Sequence, residues 1–246
     1  MVRPGRSLES INMYRQKSVI QKFTVSATRR NLVVDITDFV GEYLEETWSK
    51  SSKNPETIVR GFSQLRIKDG YKLRAYQYID NMGGIGCVFA IPSDMELPEV
   101  YEVVEESEDH DRLKRPDKAL PDFMEAINGD KSPLSYLQAA IAFQDLKEFG
   151  AMWHSTSWGQ DIILPVMRNS EMAKVNHEWD MIEEEPDILE PHFYYDHNGH
   201  PVIVFYTIND IYKYKLIRYV NTFSKENYTL KVDKTIIATA GIGIIF

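Results

Sequence analysis

The dipeptide Asn198-Gly199 constrains this chain more than any other pair of residues. It lies between two runs of strand-forming residues, Phe193-Tyr194-Tyr195 and Val202-Ile203-Val204-Phe205-Tyr206. Asn-Gly is the preferred pair for a type I′ turn, whose two central residues both need positive φ, so the spacing predicts a two-residue β-hairpin. In that register His197 and His200 oppose one another as a hydrogen-bonded pair with Cα atoms about 5.5 Å apart. Tyr195 and Phe193 then face Val202 and Val204, Asp196 faces Pro201, and His192 falls on the other side of the sheet. Two imidazoles on one face are candidate ligands for a divalent metal, and His197 and His200 are the predicted pair. A further ligand would have to come from elsewhere, with His154, His177 and Glu178 as the available groups. A proline in the pairing register also places the hairpin at or near a sheet edge, where its missing N–H breaks no ladder bond.

After the hairpin, the segments 212–219, 227–232 and 235–239 read as short strands, and a C-terminal β-meander is the simplest way to connect them. Before it, Ser132-Pro133 opens the clearest helix, because serine accepts from an orphan N–H and proline sacrifices none at the first helical position. This helix runs to Phe149, stops at Gly150 and is apolar on most faces, which predicts burial. Strands are expected near 18–27 and 31–36, with a helix from Phe39 to Trp48 behind Asp38. A second helix is expected from Asn54-Pro55 through Leu65, and then a hairpin pairing 72–79 with 85–91. Residues 93–121 carry a block of carboxylates followed by Arg112, Lys114, Arg115 and Lys118, the pattern of a charged linker or exposed insert. A second acidic break, Glu183-Glu184-Glu185-Pro186-Asp187, precedes the terminal strands. The fold class is therefore α+β: antiparallel sheets near both chain ends, a central buried helix at about 133–149 and a C-terminal β-meander. The natural divisions are 1–92, 93–121, 122–185 and 186–246, grouped into one or two compact domains.

With 246 residues, 43% of them hydrophobic, the chain can bury a sizeable core. Its net charge of −9 argues against nucleic acid as a whole-molecule partner. Strand alternation sends Tyr212 and Tyr214 to one face and Lys213 and Lys215 to the other, so they do not form a stacking and phosphate-pairing platform. Cys87 is the only cysteine, which excludes an intramolecular disulfide and a cysteine-based zinc site. Among Val88, Phe89 and Ile91 it is expected to be a buried, inert thiol. No apolar run reaches the roughly 18–20 residues that span a bilayer. These features predict a soluble cytoplasmic protein without a membrane partner. Residues 1–30 hold seven basic side chains against Glu9 alone, a composition shared with organelle transit peptides. The even spacing of Val19, Phe23 and Val25 reads instead as strand within the fold.

The densest collection of chemical groups is Trp153-His154-Ser155-Thr156-Ser157-Trp158-Gly159-Gln160-Asp161. Loops leaving a rigid element often carry function, so Trp153, His154, Trp158 and Asp161, with Tyr195 beside the hairpin, are the predicted binding residues. A hydrolase would use His154, Ser157 and Asp161, but there is no G-x-S-x-G elbow, and adjacent extended residues point apart. Gly83-Gly84-Ile85-Gly86 lacks the lysine and hydroxyl of a phosphate loop and precedes a strand, and His177-Glu178 lacks the second histidine of a zincin. No cofactor is predicted beyond a possible divalent metal. The sequence thus supports a binding or protein-interaction protein with a protein or small-molecule partner. A hydrolase-like, metal-assisted enzyme on His154/Asp161 or His197/His200 is the alternative.

Overall fold

The computed structural model describes residues 48–80, 83–99, 113–153, 156–164 and 178–243. The strands and helix expected before residue 48 lie outside the described residues, as do His110, His154 and His177. The chain divides into two compact units. Residues from 48 to 160 together with 227–229 belong to one, the helical unit; those from 161 to 226 and from 230 onward belong to the other, the meander unit.

In the helical unit, β1 (Ser49–Lys50), β3 (Tyr71–Asp80), β4 (Gly83–Pro92) and β6 (Met152–Trp153) form an antiparallel sheet in the order β1-β3-β4-β6. The expected hairpin pairs β3 with β4 from Tyr71↔Pro92 to Asp80↔Gly83. A smaller sheet joins β2 (Leu65–Ile67) to β5 (Ile127–Gly129). Helix α1 (Glu56–Arg60) starts where expected, with Asn54 Oδ1 accepting from the Glu56 N–H at 3.0 Å. It ends at Gly61 and does not reach Leu65, which opens β2. Helix α2 (Pro133–Lys147) is the predicted buried helix. Ser132 Oγ accepts from the Ser135 N–H at 3.2 Å, and every residue from Ser135 to Ala142 is buried. Gly150 then takes φ +71°, a conformation that L side chains rarely adopt. The glycines of β4 have a packing role: a Cβ on Gly86 would stand 2.3 Å from the Phe149 carbonyl oxygen, where the end of α2 crosses the strand. On one face of this sheet Tyr76, Phe89 and Ile91 pack with Leu97, Leu113 and Ala119, so both described ends of the charged 93–121 stretch contribute to the core. Cys87 is half-buried against the same cluster.

In the meander unit, β7 (Ile162–Ile163), β8 (Asp180–Met181), β9 (His192–Tyr195), β10 (Pro201–Asn209), β11 (Tyr214–Phe223) and β12 (Leu230–Ala240) form one antiparallel sheet. Its spine is the expected meander, β10-β11-β12. The strands are longer and fewer than the sequence suggests. Asp233 and Lys234 continue β12 where a break was expected, and β11 starts at Tyr214, two residues beyond Tyr212, whose φ is +65°. β10 is flanked by β11 on one side and by β9 and then β7 on the other, and all nine of its residues are buried. Val202, Val204, Tyr206, Ile208 and Leu216 form one buried apolar cluster with Leu164, Ile237 and Ala238.

The predicted two-residue hairpin is corrected by one residue. Pro201 pairs with Tyr195, Val202 with Tyr194 and Val204 with His192, so the loop has three residues, His197 to Gly199. Asp196 is the cause. Its Oδ1 accepts from the N–H groups of Asn198 at 2.9 Å and His200 at 2.7 Å, the Gly199 N–H bonds to the Asp196 carbonyl at 2.9 Å, and Gly199 alone takes positive φ, at +79°. Aspartate opening a turn and glycine in the left-handed region closing it outcompete the Asn-Gly pair. A one-residue slip also exchanges faces: Tyr195 and Phe193 share a face with Pro201 and Ile203, whereas the two-residue register set them opposite Val202 and Val204.

Candidate functional site

The loop singled out by its aromatic and polar content is held in the helical unit by two carboxylates at the end of α2. Trp153 ends β6, whose two residues pair with Gly83 and Gly84. Glu148, the last residue associated with α2, accepts from the backbone N–H groups of Ser157 and Gly159, each at 2.9 Å, and from that of Trp158. The Trp158 indole N–H donates to Asp145 Oδ1 at 2.6 Å, and the residue is only 2% exposed. A buried indole with a satisfied N–H is a core side chain. The Trp158 indole is therefore packed within the helical unit, and the backbone N–H of the exposed Ser157 helps to hold the turn. The Trp153 side chain lies outside what the structure describes.

Asp161 belongs to the meander unit, and there it organises a buried polar group that the sequence reading did not assemble. Thr207, Asn209, Tyr219 and Lys234 all project from the same face of β10, β11 and β12, because Tyr219 pairs with Lys234 and Thr207 and Asn209 alternate along β10. Asp161 Oδ1 accepts from Asn209 Nδ2 at 2.6 Å. Its Oδ2 accepts from Thr207 Oγ1 at 3.2 Å and from the Tyr219 hydroxyl, with Lys234 Nζ 3.8 Å away. The Asp161 side chain has no exposed surface, whereas that of Lys234 is 40% exposed. Lys234 Nζ also sits 5.1 Å from the Tyr219 ring centre, and Phe205, the cross-strand partner of Tyr219 on β10, stacks on that ring at 5.0 Å between centroids. A carboxyl group whose two oxygens accept from three neutral donors, with an ammonium nearby, has its acceptor positions taken up by structural contacts. The available signal for this group was Thr207 and Asn209, two polar residues on one face of an otherwise apolar strand.

The predicted metal pair is not a directly opposed pair across the hairpin. His197 is exposed within the three-residue loop, and His200 lies opposite Asp196, with Nδ1 3.1 Å from Asp196 Oδ2. The slip in register removes the facing geometry. Among the described residues no three His, Cys, Asp or Glu side chains are grouped so as to hold a metal ion. Glu178 is exposed. His192 is buried, with Nδ1 3.1 Å from the Glu190 carbonyl oxygen. Burial pushes the hydroxyl pKa of Tyr194 and Tyr206 upward, so neither phenol is adapted to proton transfer near neutrality.

Tyr195, the remaining predicted contact residue, is 50% exposed, with its ring edge-on to Phe193 at 5.0 Å. It is one of seven large apolar side chains exposed among the described residues, with Met181, Ile182, Leu189, Tyr212, Ile236 and Ile242. All seven lie in the meander unit. No described helix is long and apolar enough to cross a membrane. Comparison of the chain with protein-family descriptions, curated proteins and solved structures finds no match.

Proposed function

We propose that this chain is a binding protein that engages a partner through the surface of its meander unit. The observation that carries the reading is the uneven placement of exposed apolar side chains. Isolated exposed hydrophobics are ordinary on any protein, but their confinement to one of two units points to an interaction surface. Met181 and Ile182 lie at the edge of the sheet next to β12, the strand that carries Ile236, with the Ile182 N–H bonded to the Ile237 carbonyl at 2.9 Å. Tyr195 and Tyr212 add amphipathic rings of the kind enriched at interfaces. A cytoplasmic setting goes with this reading, on the strength of a single, half-buried cysteine. Against the hydrolase-like alternative, Asp161 is occupied by its neighbours and His197 and His200 are not paired across the hairpin.

A photo-crosslinking residue placed singly at Ile182, Tyr195 or Tyr212, and for comparison at the exposed Arg60 or Lys118 of the helical unit, tests the proposal in cells. Adducts with one discrete partner should arise from the meander positions alone. Adducts from the helical-unit positions only, or none from any position, would sink it.

A further inference from the structure

We infer that the strip Asp180–Glu190 docks a basic, amphipathic segment of another protein. The inference rests on the binding role proposed above and assigns it a location and a partner chemistry. Within these eleven residues there are six carboxylates and no lysine, arginine or histidine. Carboxylates alone would mark only a solvated turn. What sets this stretch apart is that apolar side chains stand out among them: Ile182 is 63% exposed, Met181 41% and Leu189 38%, and no residue of the strip is buried.

The strip is held at both ends. Asp180 and Met181 pair with Thr239 and Ala238 of β12, and the N–H groups of Ile182 and Glu183 both bond the Ile237 carbonyl, at 2.9 and 3.2 Å. Glu183 is tied to Arg218 at 2.8 Å. At the other end Pro191 and His192 are buried and β9 begins. A segment fixed in this way presents its side chains without first having to be ordered, which removes part of the entropic cost of association.

The chemistry of the occupant follows from what would be covered. Burying Ile182 and Leu189 brings the exposed Glu184, Glu185 and Glu190 out of water, and a neutral apolar surface would desolvate their charge with nothing to offset it. Lysine or arginine interleaved with apolar residues covers the one and neutralises the other. A second copy of this chain docked symmetrically would set six carboxylates against six, and the net charge of −9 adds to that repulsion.

The probe is a short labelled peptide of alternating lysine and leucine, followed by fluorescence anisotropy on the full chain, with lysine–serine and glutamate–leucine peptides of equal length alongside. The lysine–leucine peptide should bind, and raising salt to several times physiological should weaken it, as expected of partly exposed charges. The double variants Ile182→Ser/Leu189→Ser and Glu184→Lys/Glu185→Lys should each weaken it about tenfold, the scale of one lost interface contact. All four positions are exposed or point outward, so melting temperatures should match the wild type. The inference is overturned if lysine–serine binds as well as lysine–leucine, if neither double variant changes the affinity, or if binding appears only after residues 1–30 are removed, which would make the basic start of this chain the occupant. Absence of peptide binding with crosslinks still arising at Tyr195 or Tyr212 refutes the strip and leaves the binding role standing; absence of both refutes the two together.

Discussion

Asp161 shows what a single side chain does in the meander unit. Thr207, Asn209 and Tyr219 would each lose a hydrogen bond made by a buried polar group if its carboxylate were absent, because all three are buried on the same face of the sheet. Removing a shared acceptor costs more than the bonds it makes, since the desolvated donors remain. Asp161→Ala should therefore destabilise the unit by about 3 kcal/mol, read as a lowered midpoint in urea unfolding followed by amide signals of β10. Asp161→Asn keeps one acceptor but turns an NH2 toward other donors, and should fall between the two. A loss below about 1 kcal/mol for the alanine variant, the net scale of one ordinary hydrogen bond, would show that the group is not cooperative. This residue was picked out in the sequence for a different reason, as part of the aromatic loop. Its hydrogen-bond donors lie 46 to 58 positions away, and only strand register brings them to it. Trp158 shows the same limit: its content suggested a surface contact, but Asp145 and Glu148 of α2 draw the loop inward.

At the level of elements, the hairpin between β9 and β10 depends on Asp196. Its carboxyl is held below the ordinary aspartate range, first by the His200 backbone N–H and further by the His200 side chain and the Asn198 N–H. A depressed folded value means that the stabilisation is complete above the unfolded pKa, about 3.9, and is lost as pH falls through the lower folded value. The amide signals of Asn198, Gly199 and His200 should accordingly titrate together with a midpoint below about 3.9, and Asp196→Asn, which keeps the acceptor, should hold the turn and abolish the titration. A midpoint at or above the unfolded value would contradict the role assigned to Asp196. Two rules compete in this sequence, the Asn-Gly pair and the Asp-x-x-Gly spacing. They differ by one residue in loop length, and the side-chain acceptor decides between them. Helix α2 presents no such competition. Its serine cap, proline and terminal glycine all agree, and its bounds were legible within two residues.

On the scale of the whole molecule, the chain order of residues and their membership of a unit part company at Tyr228. It sits between β11 and β12 in sequence but belongs to the helical unit, where its hydroxyl accepts from the Lys131 N–H at 2.8 Å, lies 2.8 Å from Ser135 Oγ, and its ring packs on Tyr136 at 5.2 Å. Gly129 leaves room for it, since a Cβ there would stand 2.6 Å from that hydroxyl. Tyr228→Phe should cost the helical unit about 1–2 kcal/mol, with faster hydrogen exchange at Lys131 and through the first turn of α2; exchange unchanged there would refute the assignment. The sequence by itself determined the α+β class, the meander, the buried helix and the β3–β4 hairpin, because caps, alternation and apolar faces are local and repeat along the chain. The tertiary structure alone decided the one-residue register at Asp196, the partners of Asp161, the burial of Trp158 and the place of Tyr228. Each of these depends on a bond between residues distant in sequence, or on the small energy difference between two locally acceptable turns, and neither leaves a periodic mark in the chain.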